Sequence, residues 1–266
     1  MAGDYDLDGR VAVVTGGAGL IGAGIAAVLA RRGARVLVVD LDQRRAEAVA
    51  RGICEAGGVA AAAAADVGDE AAVERAFDHA DALGGPAGVL VNCAAPVALA
   101  LREQPADRLQ VATWDEMLRV ALRGTMLCSR AALRRMVPAG GGAIVNISSI
   151  HAYAGDLALV AYPVAKAGII ALTRTIATQY GRSGVRCNVV CPGTIPPPDL
   201  SPADLARRLR HQAIGRPGDP DDIAQAVAYL AGPAASFITG QALVVDGGVL
   251  CHLPSFADGG HLQASG

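Results

Sequence analysis

The sequence predicts an α/β fold in one domain: an open, doubly wound parallel sheet with helices on both faces. Three observations predict it. Short β-branched runs alternate with longer stretches of helical periodicity, the pattern of repeated βαβ units. The runs are apolar almost throughout, as strands buried on both faces are. A glycine-rich turn joins the first run to the first helical stretch.

Taken in order, strands are expected at 10–15 (RVAVVT), 35–40 (RVLVVD), 89–92 (VLVN), 143–148 (AIVNIS), 185–191 (VRCNVVC) and 242–246 (ALVVD). An alanine-rich run at 59–67 is a weaker strand candidate. Helices are expected at 20–32, 43–56, 69–83, 113–136, 162–181 and 220–231. In the first, Ile21, Ile25, Val28 and Leu29 form an apolar stripe. The alternation implies right-handed crossovers. Residues 194–201 (TIPPPDLS) hold three prolines, which lack amide donors, so they read as a loop. Residues 194–215 read as a substrate lid without an aromatic side chain, and 250–266 as an irregular C-terminal tail.

The 266 residues, 52% hydrophobic and 18% charged, suffice for one large domain with a two-sided core. The net charge of −2 and the lack of a basic tract argue against a nucleic-acid partner. No window of about 18 residues is continuously apolar, so no membrane span is expected. Residues 1–10 (MAGDYDLDGR) lack the form of a secretory leader, which makes a cytoplasmic location the expectation. The six cysteines form no CxxC pair, and Cys54, Cys93 and Cys128 read as small buried hydrophobes. His211, His252 and His261 have no metal-ligand spacing and read as surface or interface residues, so no metal is expected.

The turn Thr15-Gly16-Gly17-Ala18-Gly19-Leu20-Ile21-Gly22 follows the first strand. Glycines there let the backbone approach a diphosphate, and the helix N-terminus at Leu20 and Ile21 offers amides and partial positive charge. Gly22 lets the helix pack close to the sheet. Asp40, eighteen residues after Gly22, closes the second strand. Its carboxylate can bind both ribose hydroxyls of an adenosine and repels a 2′-phosphate. The expected cofactor is therefore NAD, in a Rossmann-type arrangement. Arg44 and Arg45 read as solvated.

Lysine usage is unusual: the chain has 22 arginines and one lysine, Lys166. A lone lysine suggests a place that needs a compact ammonium. It lies four residues after Tyr162, on one face of the expected helix. A nearby cation favours the ionised phenol, which makes it a usable acid or base. Pro163 is tolerable in the first turn.

Together these motifs resemble the short-chain dehydrogenase/reductase family, of the single-domain type of about 250 residues. The resemblance runs from about Leu7 to Val249 and includes Asp66-Val67, Asn92-Cys93-Ala94-Ala95, Pro192-Gly193 and the stretch 240–248 (GQALVVDGG). It implies catalysis by Ser149, Tyr162 and Lys166. It implies cofactor contacts from Gly16, Gly19, Leu20, Ile21, Asp40, Asp66, Val67, Asn92, Lys166, Pro192, Gly193 and Thr194. The substrate oxygen would sit between Ser149 and Tyr162, with hydride exchanged at the nicotinamide, Tyr162 handling the proton and Lys166 easing its ionisation and holding the ribose. Ser148 reads as a structural turn hydroxyl. His151, two residues after Ser149, is a candidate substrate contact or an ordinary loop residue. A homotetramer, with the long fourth and fifth helices at an interface, is also implied.

Three positions depart from the family pattern. Ala121 stands where an asparagine holds a relay water, Ala95 where a glycine is usual, and Pro196 where a threonine contacts the carboxamide. The first expectation is an NAD(H)-dependent oxidoreductase acting on a secondary alcohol or ketone. Two alternatives share the scaffold: non-redox chemistry such as dehydration, isomerisation or cyclisation, and nucleotide binding without turnover.

Overall fold

The computed structural model describes residues 7–253. Seven parallel strands form one sheet: β1 (Val11–Thr15), β2 (Arg35–Asp40), β3 (Val59–Ala64), β4 (Ala87–Asn92), β5 (Gly142–Ile147), β6 (Val185–Pro192) and β7 (Ala242–Val245). Their spatial order is β3-β2-β1-β4-β5-β6-β7. The helices are α1 (Leu20–Arg31), α2 (Gln43–Glu55), α3 (Glu70–Asp81), α4 (Val97–Ala100), α5 (Val111–Met117), α6 (Gly124–Met136), α7 (Ala161–Tyr180), α8 (Pro202–Leu209) and α9 (Pro220–Ala231).

Alternation along each strand feeds two apolar layers. Ala12 and Val14 of β1 join Ile25 and Leu29 of α1, Ile53 of α2 and Ile223 and Val227 of α9 on one face. Val11 and Val13 join Phe77 of α3, Leu127 of α6 and Ile176 of α7 on the other. A buried Leu, Ile or Val contributes roughly 1.5–3 kcal/mol. The seam of α1 against α9 thus outweighs the exposed Arg31–Asp221 pair between them, worth about 0–1 kcal/mol.

The third strand stops at Ala64, short of the expected Val67, because its partner β2 ends at Asp40, the residue paired with Ala64. The helix expected over 113–136 is three pieces: α5, a π-helical segment at Leu118–Arg123, and α6. Beside the π segment Thr125 Oγ1 donates to the Ala121 carbonyl at 2.7 Å, a side chain competing for a helical acceptor. The short α4 and α8 were not among the expected helices; α8 lies inside 194–215. Cys54 is exposed and Cys93 only half-buried, so of the three cysteines expected in the core, Cys128 alone is fully buried. Residues 254–266 of the expected tail, with His261, lie outside the described residues.

A polar chain crosses the core. Asn92 Nδ2 donates to Ser129 Oγ at 3.1 Å and to Asn146 Oδ1 at 2.8 Å; Asn146 Nδ2 donates to Thr173 Oγ1 at 2.9 Å. Thr173 Oγ1 donates to the Ile169 carbonyl at 2.8 Å, which orients both amides. Buried and satisfied, such a chain fixes one arrangement of the packed elements. It locks α6, β4, β5 and α7 together, and α7 carries Tyr162 and Lys166.

Candidate active site

Strand order reverses between β1 and β4, which opens a crevice at the carboxyl ends of the strands, where open α/β sheets bind ligands. The glycine turn lies there. Gly16 has φ +62, and a Cβ on it would meet the Ala94 backbone at 2.7 Å. A Cβ on Gly22 would collide with the Gly16 carbonyl. Only glycines fit, so the loop lies tight against the sheet. α1 begins at Leu20 with no side-chain cap, so its first amides point out of the helix toward a ligand.

Asp40 braces this turn. Its Oδ2 accepts from the Ala18 amide at 3.0 Å and its Oδ1 from the Asp42 amide at 3.2 Å. An ionised carboxylate has about four acceptor sites, so capacity remains for hydroxyls. Arg45 is not simply solvated, as the sequence suggested: its guanidinium donates to the Ala18 carbonyl at 2.9 Å. Asp66 accepts from the Gly68 amide at 2.8 Å and pairs with Arg119 at 2.9 Å. Val67 is buried, where a Cβ on Gly124 would strike its Cγ2 at 2.7 Å. The Asn92 side chain serves the buried chain described above. Pro192 ends β6, and the Gly193 amide bonds the Val245 carbonyl at 2.9 Å, tying the start of the Thr194 segment to β7.

Ser149, His151, Tyr162 and Lys166 meet at the ends of β5 and α7. Lys166 is 3% exposed. Its ammonium donates to the Ile147 carbonyl at 2.9 Å and lies 5.5 Å from the Tyr162 ring centroid. Tyr162 and Pro163 occupy the first turn of α7, where proline removes no needed donor. Ser148 Oγ donates to the Lys166 carbonyl at 2.7 Å, the structural role read for it. Ser149 Oγ lies 3.1 Å from His151 Nδ1 and accepts from the His151 amide at 3.2 Å. The His151 ring meets the Tyr162 ring edge-on, 5.9 Å between centroids. His151 Nε2 lies 3.4 Å from Asp156 Oδ2. The Ala158 amide, aided by the Leu159 amide and the nearby His151 ring, holds the Asp156 carboxyl below its ordinary value. His151 is therefore not an ordinary loop histidine.

Sequence reasoning missed Glu103. It is 5% exposed. Its Oε2 accepts from the Val160 and Ala161 amides at 2.6 and 2.8 Å, and its Oε1 from the Tyr162 amide at 3.0 Å. The N-cap position of α7 is Val160, which has no capping side chain. A carboxylate from a distant loop thus satisfies the amides that begin the helix, where negative charge is favoured. The available signal was the absence of Ser, Thr, Asp or Asn just before Tyr162-Pro163.

Ala121 is fully buried with Met117, Ala161 and Ala165, so its methyl fills a space against α7. Burial pushes the Cys93 thiol up to about 11 against the pull of Lys166, which leaves it a poor nucleophile. The residues fit a nicotinamide dinucleotide. A Cβ would fill the glycine cradle, Asp40 retains acceptor sites, and the Lys166 ammonium, with three donors, spends one on Ile147.

Comparisons with known proteins agree. A family model described as enoyl-(acyl carrier protein) reductase matches residues 16–250. A probable short-chain type dehydrogenase/reductase of Bradyrhizobium diazoefficiens is 42% identical over 97% of this chain and 93% of its own. The cis-4-hydroxycyclohexanecarboxylate dehydrogenase of Sinomonas cyclohexanicum is 44% identical over 90% of this chain and 96% of its own. A solved gluconate 5-dehydrogenase from Burkholderia cenocepacia, in complex with NADP and tartrate, is 30% identical with a TM-score of 0.87, covering 94% of this chain and 98% of that one. The chain belongs to the short-chain dehydrogenase/reductase family of oxidoreductases.

Proposed function

We propose that the protein is an NAD(H)-dependent oxidoreductase interconverting a secondary alcohol and a ketone, with Tyr162 as the general acid/base. The observation that carries this reading is the junction of Ser149, Tyr162 and a buried Lys166 beside the glycine cradle. Ser149 holds the substrate oxygen and helps balance charge developing on it. Tyr162 gives or takes the proton on that oxygen. Lys166 sits under the Tyr162 ring and offers its remaining donors to ribose hydroxyls. The bound nicotinamide supplies or takes up the hydride. Gly16, Gly19, Leu20, Ile21, Asp40, Asp66, Val67, Asn92, Pro192, Gly193 and Thr194 build the cofactor cradle, and residues 194–215, including α8, form the lid over the substrate.

The test follows absorbance of NADH across a panel of secondary alcohols and ketones. Turnover by wild type supports the reading; its absence across the panel sinks it. One observation favours a second reading, non-redox chemistry on the same scaffold: Ala121 offers no side-chain polar group for a water behind Lys166. Product formation without net change in NADH distinguishes it.

NAD is preferred over NADP because Asp40 stands where a 2′-phosphate would sit. Two unit charges about 5 Å apart repel by roughly 3 kcal/mol at an effective dielectric of about 20. Arg45 at the Ala18 carbonyl offsets part of this. Asp40→Asn keeps an acceptor for the Ala18 amide and removes the charge. It is expected to raise kcat/KM with NADPH about 10- to 100-fold relative to NADH. An unchanged cofactor ratio counts against this role.

A homotetramer is the proposed assembly. The supporting feature is an apolar groove of about 510 Å³ along α6 and α7, lined by Met126, Leu133, Val137, Leu172 and Ile176. Light scattering tests it. Among the described residues no helix is long and apolar enough to cross a membrane; a cytoplasmic location is proposed.

A further inference from the structure

Both ring nitrogens of His151 are engaged, and by groups of different kind. On one side lies Ser149 Oγ at 3.1 Å from Nδ1; on the other, Asp156 Oδ2 at 3.4 Å from Nε2. Asp156 is itself pinned by the Ala158 and Leu159 amides at 2.9 and 3.3 Å, so its carboxylate cannot turn away without losing them. An ionised carboxylate only accepts. The proton of a neutral imidazole therefore belongs on Nε2, facing Asp156, because the other tautomer sets a nitrogen lone pair against a carboxylate oxygen. Nδ1 is then a bare acceptor, and the Ser149 hydroxyl donates to it.

The direction of that bond bears on the substrate. Ser149 has one proton and two lone pairs. One lone pair is taken by the His151 amide at 3.2 Å. While the imidazole is neutral, the Ser149 proton points at Nδ1, and the hydroxyl has only an acceptor left for a ligand. An alcohol, which has a proton to give, is satisfied by it. A ketone oxygen, which can only accept, is not. When the imidazole is protonated, Nδ1 becomes a donor toward Ser149 Oγ, and the serine proton is released to the ketone.

We propose that His151, held between Ser149 and Asp156, is a positioning residue that sets the direction of the Ser149 hydrogen bond, so that binding of the ketone, but not of the alcohol, depends on imidazole protonation. The inference rests on the reading that Ser149 contacts the substrate oxygen. His151 transfers no proton in turnover; it reorients one. The charged and titratable groups around it are Asp156 on its own loop, Tyr162 with Lys166 behind it on α7, and from β6 Cys191 beside Ser149, whose thiol burial keeps protonated. Of these, Asp156 is the carboxylate that stabilises the imidazolium.

The test has two arms. In 15N-labelled protein, imidazole nitrogen shifts report the tautomer, and His151→Asn identifies the His151 signal. The neutral form is expected as Nε2–H; an Nδ1–H tautomer overturns the proposal. In the second arm KM is measured from pH 5 to 9 for paired secondary alcohols and ketones, cyclohexanol and cyclohexanone among them. Loss of one net hydrogen bond predicts a ketone KM rising about five- to tenfold as pH rises through the imidazole titration, with the alcohol KM unchanged. His151→Asn, whose amide can turn either way, is expected to flatten this rise. Asp156→Asn, lacking the carboxylate, is expected to move it to lower pH. The same ketone profile in wild type and His151→Asn overturns the inference alone. Failure of wild type to turn over any pair overturns the oxidoreductase reading and the inference with it.

Discussion

Tyr162→Phe is expected to lower kcat/KM by about 10²- to 10⁴-fold, the usual contribution of a positioned general acid or base, while NADH still binds. The phenyl ring keeps its packing against His151 and Lys166, since both contacts are made to the ring and not to the hydroxyl. Loss of activity in a protein with unchanged melting temperature and unchanged NADH affinity thus reports the hydroxyl alone. Retention of wild-type turnover would remove Tyr162 from the chemistry. Lys166→Arg, nominally conservative, is expected to fail in the same direction. Lys166 is 3% exposed, and its pocket admits a point-like ammonium between the Ile147 carbonyl and the Tyr162 ring. A planar guanidinium has a different shape and hydration. Reduced NADH affinity should accompany this variant, unlike Tyr162→Phe, because Lys166 also faces the ribose.

The parts of the fold legible in sequence are those written in local pattern. Unbroken apolar runs mark the central strands, and the run 10–15 feeds both layers as a doubly covered strand must. The pair Tyr162 and Lys166 is legible because a single lysine among 22 arginines stands out from composition alone. The exposed Cys54 and the end of β3 are not legible. Each depends on what lies across from it in space: β3 stops because β2 stops, and the alanines of β3 carry too little side chain to mark a boundary. The π-helical segment at Leu118–Arg123 is equally hidden, since Thr125 reads as an ordinary helical residue and only the folded chain sets its hydroxyl on the Ala121 carbonyl. His151 stands out by its closeness to Ser149, but its meaning comes from Asp156, five residues away in a turn whose course the sequence does not dictate.

Glu103→Ala is expected to destabilise the fold by about 2–4 kcal/mol and to lower kcat, although Glu103 lies far from Tyr162 in the chain. Three amides lose their acceptor at once. Hydrogen bonds to a charged group contribute about 1.5–3 kcal/mol each; water entering the vacated space replaces part of that sum, which brings the expected loss below simple addition. Glu103 is 5% exposed, so the amides of Val160, Ala161 and Tyr162 cannot all turn to bulk solvent. The first turn of α7 then frays, and Tyr162 sits in that turn. Glu103→Gln separates the two consequences. It keeps an oxygen acceptor, so most of the stability should return, but it removes the negative charge that offsets the positive end of α7. With that charge gone the phenolate is favoured, and the acidic limb of the oxidation-rate profile should move to lower pH. A purely structural cap predicts a lower melting temperature in Glu103→Ala with an unshifted limb in Glu103→Gln. A cap that also sets the electrostatics of Tyr162 predicts both changes, and the pH profile of the glutamine variant decides between them.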